Sequence, residues 1–364
     1  RFRAALVDFT RELLVSDPQN FVSAARLLQD QRHELAYVRG LIDWRLGLAD
    51  QEANEWNKDN PFYWKILMNR RTVPVEAMET LSELYCETEY EKVEALAKLM
   101  TECWDNYAEG HNYMGLVAMK RDDLEVAQMH FNKAMAVGRT LFPKRIRKAD
   151  YWLNYVTRPY IRSIIYSAQV CNRMGDYPEA LSLCDRLEKE CNMDVDAALG
   201  RIPVYLNRGL WSDAARAARY VHAIHPQENL PLAFALHEMG EKHRGLVHFL
   251  AGTIRFPRTA RMLCGLSGER DPESRNEVED HNTGVAYLRE LQTYLQNSRN
   301  TGPRFFRDAL KHPKVIELID EANEVRRQWS ANRSSDRKWF DRMREMESIQ
   351  FAEDKVTRFW PDAG

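Results

Sequence analysis

The segment Glu109–Phe142, EGHNYMGLVAMKRDDLEVAQMHFNKAMAVGRTLF, carries the clearest periodic pattern in the chain. It predicts two short helices that face each other. Met114, Gly115 and Ala118 share one face of the first, Asp122 and Asp123 mark the turn, and Ala127, Phe131 and Ala134 recur at helical spacing on the second. Gly115 and Ala127 stand where the two axes come closest, and Phe131 fills the groove toward a neighbouring pair.

A repeating unit of this kind should recur after about 34 residues, the period of a helix-turn-helix repeat. Val93, in ETEYEKVEALAKLM, lies 34 residues before Ala127, with Leu81 and Leu84 on the partner helix and Ala97 and Met100 on its own. Downstream, Gly175-Asp176-Tyr177 leads to Ala180, Cys184 and Leu187, and Gly209-Leu210-Trp211 leads to Ala214, Ala218 and Val221, again 34 residues apart. The turn residue stands five positions before each anchor, and Pro226 closes the later copy. A degenerate copy, with Gly240, Gly245, Phe249, Gly252 and Pro257, keeps the internal offsets at a spacing of 31. Ala127 and Ala180 are 53 residues apart, so an insertion is expected between Gly138 and Pro159.

This pattern resembles the tetratricopeptide (TPR) repeat. The resemblance implies an all-α, right-handed α-solenoid of TPR-like helix pairs, flanked by N- and C-terminal helical caps, that holds a protein partner in its concave groove. The expected organisation is an N-terminal helical cap over 1–78, a repeat array over 79–263 with the insertion near 138–159, a polar linker over 264–285 and a C-terminal helical segment over 286–364. In the cap, NPFYWKILMNRRTVP reads as an aromatic plug against the first repeat. The linker, GLSGERDPESRNEVEDHNTG, is polar and without period, and reads as a loop or hinge. Beyond it, one helix carries Tyr287 to Leu295, Gly302-Pro303 breaks it, and Phe305–Trp329 and Asp336–Phe359 are expected to fold back on the array.

The formal charge is −2, so electrostatic function must come from local asymmetry. That asymmetry is strongest at the insertion and its exit helix. From Arg139 to Arg173 the cations are Arg139, Lys144, Arg145, Arg147, Lys148, Arg158, Arg162 and Arg173, opposed by Asp150 alone, with Phe142, Tyr151, Trp152, Tyr155, Tyr160 and Tyr166 interleaved. Arginine forks bind carboxylates or phosphates, and aromatic faces stack on bases or clamp a peptide. One reading makes Arg158, Arg162, Tyr155, Tyr166, Lys144, Arg145, Arg147, Lys148 and Trp152 a surface for an acidic peptide or partner helix. In it Arg158 and Arg162 hold carboxylates, and Tyr155 or Tyr166 supplies an apolar wall. The other packs the aromatics inward and pairs the arginines with acids of neighbouring repeats.

A second resemblance rests on KADYWLNYVTRPYIRSI, GDYPEAL, PVYLNRGLWSDAARAA, ENLPLAFAL and FPRTARMLCG. Over about Asp123 to Gly265 the chain is similar to bacterial TPR-like proteins related to the suppressor-of-tumorigenicity-seven family. Trp152, Thr157, Arg158, Pro159 and Tyr160 form the most specific element. The departure is CNMDVDAALGRIP, which stands where that family has an acidic, asparagine-rich stretch. The family implies an interaction scaffold, with no catalytic residues to carry over. A weaker similarity, to a TPR-like subunit of ribosome-associated quality control, keeps an RNA- or ribosome-bound adaptor as the alternative.

No phosphate-binding glycine loop, nucleophile elbow or dinucleotide motif is present, and HEMGEKH lacks the H-E-x-x-H spacing. No enzyme, cofactor or metal is therefore expected, although His222, His225, His237, His243 and His248 cluster in sequence. Six cysteines show no C-x-x-C pair, with Cys171 and Cys184 on inward faces, which favours a reducing, cytoplasmic setting. No apolar run reaches the roughly 18 residues of a membrane span. The start without methionine suggests a trimmed fragment, from which a targeting segment could have been lost.

Overall fold

The computed structural model describes residues 81–361 apart from positions 83, 87, 104–105, 155, 267–270 and 332–336, with backbone alone at 99, 102 and 103. The cap expected over 1–78, its aromatic plug and Tyr155 lie outside the described residues. Every described element is helical. After a turn of helix at Leu81 to Cys86 come α1 (Tyr90–Cys103), α2 (Ala108–Lys120), α3 (Leu124–Thr140), α4 (Arg158–Met174), α5 (Tyr177–Cys191), α6 (Asp194–Asn207), α7 (Trp211–Val221), α8 (Asn229–Glu238) and α9 (Lys242–Arg255). The chain continues with α10 (Pro257–Leu263), α11 (Arg275–Glu290), α12 (Gln292–Gln296), α13 (Gly302–Leu310), α14 (Pro313–Ala331), α15 (Arg337–Met346) and α16 (Ile349–Phe359).

One backbone device recurs between paired helices. Thr88, Asp122, Gly175, Gly209 and Gly240 all adopt left-handed conformations, with φ of 63, 65, 81, 71 and 86°. The next amide reaches back over the finished helix, from Glu89 to the Leu84 carbonyl (2.9 Å), Asp123 to Ala118 (2.9 Å), Leu210 to Tyr205 (2.8 Å) and Glu241 to Leu236 (2.9 Å). This is the six-residue bond of a Schellman cap. The residue that makes it then opens the following helix. The carbonyls of Glu89, Asp123, Asp176, Leu210 and Glu241 accept from Val93, Ala127, Ala180, Ala214 and Gly245 at 2.9–3.0 Å. Those five residues are the anchors read from the sequence.

Small side chains at these points are a steric requirement. Val93, Ala127, Ala180 and Ala214 are fully buried. A Cβ on Gly115 would stand 2.5 Å from the Phe131 ring, and one on Gly245 would stand 3.2 Å from the Ala233 carbonyl oxygen. Thr88 is the β-branched residue at a hinge where three of its equivalents are glycine, and a left-handed β-branched residue is strained. Thr88→Gly should therefore raise stability by about 1 kcal/mol in a denaturant melt; a loss would show that the threonine side chain makes a compensating contact.

The described residues fall into two compact units. The first runs to Met174 and includes 185–193; the second comprises 175–184 and the chain from 194 onward. In the first, α2 packs on α1 and α3, and α3 packs on α4. Ala118, Ala127, Phe131 and Val170 form a buried cluster, with Tyr166 against it. The insertion is irregular between Thr140 and Arg158, apart from one turn of 3-10 helix at Lys148–Asp150.

In the second unit, α6 to α9 pack serially, and α9 also receives α14 and α16. The fold-back expected of the C-terminal helices is present, since Phe351, Ala352 and Val356 join the same core as Phe234, Phe249 and Phe306. The expected linker over 264–285 is not a loop from Arg275 onward. Ser274 and Glu277 form a reciprocal capping box that starts α11. The polar residues of α11 are structural as well: the Asp280 carboxylate, almost fully buried, accepts from the backbone amides of Arg258 (2.8 Å) and Thr259 (2.9 Å) and from the Thr259 hydroxyl (2.7 Å). A polar sequence was thus spent on bonds to α10 rather than on solvent. Gly302-Pro303 likewise opens α13 instead of only breaking a helix, with the proline in its first turn.

Glu228 is a buried carboxyl that accepts the Tyr287 hydroxyl at 2.6 Å. Burial first, with the nearby Glu290 charge adding to it, pushes its pKa from 4.5 up to about 8. The folded protein therefore holds a proton that the unfolded chain releases near its ordinary carboxylate range. The contribution to stability is full below that range and declines as pH rises through about 8. Glu228→Gln should flatten this decline between pH 5 and pH 8 in thermal melts; an unchanged slope would mean Glu228 is ionised in the folded state.

Candidate partner-binding site

The insertion is held down by the residues of its own motif. Thr157, fully buried, places its hydroxyl between the carbonyls of Tyr151 and Asn154. Arg158 donates from Nε to the Trp152 carbonyl (2.7 Å) and lays its guanidinium over the Trp152 ring at 5.3 Å. The Pro159 carbonyl accepts from the buried Asn112 amide at 2.8 Å. Tyr160 is fully buried, and its Cα and Cβ leave no room for a side chain at Gly138, where a Cβ would stand 3.0–3.1 Å away. Together these residues form an anchor that fastens Tyr151, Trp152 and Asn154 onto the start of α4.

A charged cluster completes the anchor. The Tyr160 hydroxyl donates to Glu190 Oε1 (2.8 Å) and receives Arg186 Nη2 (2.6 Å), while Arg139 reaches Glu190 Oε1 (3.1 Å) and Arg186 Nε reaches Oε2 (3.0 Å). Burial alone would raise the Glu190 carboxyl, but the bonds from Tyr160 and Arg186 outweigh it and hold it below its ordinary range. The Arg139 guanidinium covers the Phe142 ring at 4.7 Å. Phe142 meets Tyr151 edge-on at 4.9 Å and Tyr160 at 5.1 Å. Lys148 is tied to the Lys189 carbonyl (2.7 Å), and Arg147 grips Asp150 with two bonds of 2.7 and 3.0 Å.

The expected basic face of α4 divides under this geometry. Arg162 pairs with Glu109 at 2.9 Å, their side chains 30% and 17% exposed, and Glu109 also accepts from Asn112 at 3.0 Å. Tyr166 packs on Phe131 at 5.3 Å, and burial pushes its phenol up to about 12. Arg173 pairs with Asp122 and binds the Met119 carbonyl at 3.2 Å, fixing the hinge between α2 and α3. Lys144 and Arg145 remain, exposed and without an acidic partner among the described residues. Trp152 and Leu153 add apolar surface, at 40% and 63% exposure. Phe142 and Tyr151, which neighbour the two pairs in sequence, are in ring contact. Sequence reasoning missed Glu109 and Glu190, the acids that neutralise this region from elsewhere in the chain. Of the two, only Glu190 left a local signal, its spacing of four from Arg186 on α5.

Arg162→Ala leaves Glu109 half-buried and without its guanidinium, so it should cost about 2 kcal/mol, whereas Arg158→Ala should cost under about 1 kcal/mol. Urea melts of the two variants compare them directly. Equal losses would show that the Trp152 clamp and the ion pair are of similar weight.

Among the described residues no helix is long and apolar enough to cross a membrane, and no group of three metal-ligating side chains converges. No family model matches the chain. No curated protein matches it either.

Proposed function

We propose that the chain is a TPR-like, right-handed α-solenoid that acts as a non-enzymatic protein-interaction scaffold, with an acidic peptide or partner helix as its ligand. The observation that carries this reading lies on the insertion: Lys144 and Arg145 are exposed without an acidic partner among the described residues, and Trp152 and Leu153 of the same insertion are exposed on a stretch fastened to α4. A cation pair and fastened apolar surface on one insertion suit a carboxylate-bearing segment with an apolar anchor, because the fastened surface loses little entropy on binding. Arg158 and Arg162 serve this reading as supports of the insertion, since both have intramolecular bonds. Arg147 and Lys148 also have bonds within the unit and rank behind Lys144 and Arg145 as contacts. The free thiols of Cys86, Cys171, Cys184, Cys191 and Cys264 fit a reducing, cytoplasmic setting.

Fluorescence anisotropy with a labelled glutamate-rich peptide containing leucine, set against a labelled oligouridylate, tests the reading. The peptide should bind, and Lys144→Ala with Arg145→Ala should weaken it about tenfold or more at unchanged melting temperature. Binding of the oligouridylate alone, with a steep loss on adding salt, would replace it with the RNA-bound adaptor. Peptide binding untouched by the double variant would move the site off the insertion.

A further inference from the structure

His222 follows α7 directly, and His248 lies on α9, within the same compact unit. Their ring centroids are 5.5 Å apart and the rings are nearly perpendicular, at 88°. The position of each proton follows from the bonding. The Arg219 carbonyl can only accept, so His222 Nδ1, 2.9 Å away, must donate to it. Asn229 donates from Nδ2 to the Pro226 carbonyl at 2.9 Å, which turns its Oδ1 toward His248 Nδ1 at 2.8 Å. His248 therefore also carries its proton on Nδ1.

Both imidazoles are left with an Nε2 lone pair, and both residues are partly exposed. A ring held by an oxygen acceptor at Nδ1, with Nε2 presented outward, is how ligating histidines are oriented for a metal. The spacing agrees with that use. An imidazole bound at about 2.0–2.1 Å keeps its ring centre roughly 3.2 Å from the ion, so two around a tetrahedral ion stand about 5 Å apart.

We propose that His222 and His248 form an open two-histidine site for a borderline divalent transition metal, Zn²⁺ or Cu²⁺, with Asn229 as the positioning residue for His248. No third histidine, cysteine or carboxylate joins them among the described residues, so water fills the other coordination positions. An imidazole pair does not suit Mg²⁺ or Ca²⁺, hard cations that take oxygen ligands.

The test is titration of the whole chain with Cu²⁺, read by pulsed electron paramagnetic resonance for the remote imidazole nitrogen, and with Zn²⁺ by calorimetry. The intact chain should show two imidazole couplings at one site. His222→Ala and His248→Gln should each leave one coupling and weaken affinity by at least about tenfold, the loss that even an outer-shell partner produces. His222 is half-exposed at a helix end, so its variant decides the matter even if His248→Gln disturbs folding. Couplings unchanged in His222→Ala would place the metal elsewhere and overturn the proposal, as would an intact chain that binds neither ion.

Discussion

The left-handed hinge residue between paired helices is the constraint on which the helix pairs depend. One residue at positive φ reverses the chain, sends the next amide back to cap the finished helix, and makes that same residue's carbonyl the first acceptor of the next. Because the reversal is so short, the two axes lie close, and the position five residues on must be small or must fit its neighbour closely. Ala127, Ala180 and Ala214 are small, and at Gly245 even a Cβ would press on the Ala233 carbonyl. The hinge and the anchor are thus one geometric condition expressed at two positions. Asp122 satisfies the hinge without glycine, and Arg173, nearly buried, holds it through its carboxylate; aspartate is among the few side chains that tolerate this conformation.

Charge in the first unit is organised by burial more than by sequence density. The run from Arg139 to Arg173 is strongly basic, yet Glu190 pairs with Arg139 and Glu109 with the half-buried Arg162. A guanidinium that leaves water needs a partner, and the pairings of Arg139 with Glu190 and Arg162 with Glu109 join elements distant along the chain. The cations that escape are Lys144 and Arg145, at the outer rim where water solvates them. The aromatic residues divide by the same rule. Phe142, Tyr151 and Tyr160 pack on one another, while Trp152 is left half-covered by Arg158.

The second unit uses carboxylates as joints. Asp280 closes the start of α10 from α11, and Glu238 accepts from the Thr301 amide (2.9 Å), the Gly302 amide (2.8 Å) and the Tyr294 hydroxyl (3.0 Å), closing the start of α13 from α8. Helix starts leave amides without intrahelical partners, and a carboxylate from another element satisfies several together. Glu347 plays the converse part, pairing with Arg255 (3.5 Å) and Arg326 (3.2 Å), the latter also on the Ile254 carbonyl at the end of α9. Short polar helices are positioned in this way without a wide apolar stripe.

The sequence by itself determined the helix pairs from Leu81 to Arg255, their turns and their anchors. Those features are local: a 3.6-residue period, a glycine at positive φ and a small residue at a crossing all act within one pair. It also marked the extra residues between Gly138 and Pro159, because a break in period needs no tertiary knowledge. The start of α11 was also written locally, in Ser274 and Glu277, but tertiary structure decided what its polar face binds, since Asp280 looks like a solvent-facing residue until Arg258 and Thr259 stand opposite it. It also decided which cations of the basic run remain free. Arg162 and Arg145 are the same residue type in the same run, and what separates them is the distance to Glu109, which lies 53 positions from Arg162 in sequence and 2.9 Å from it in space.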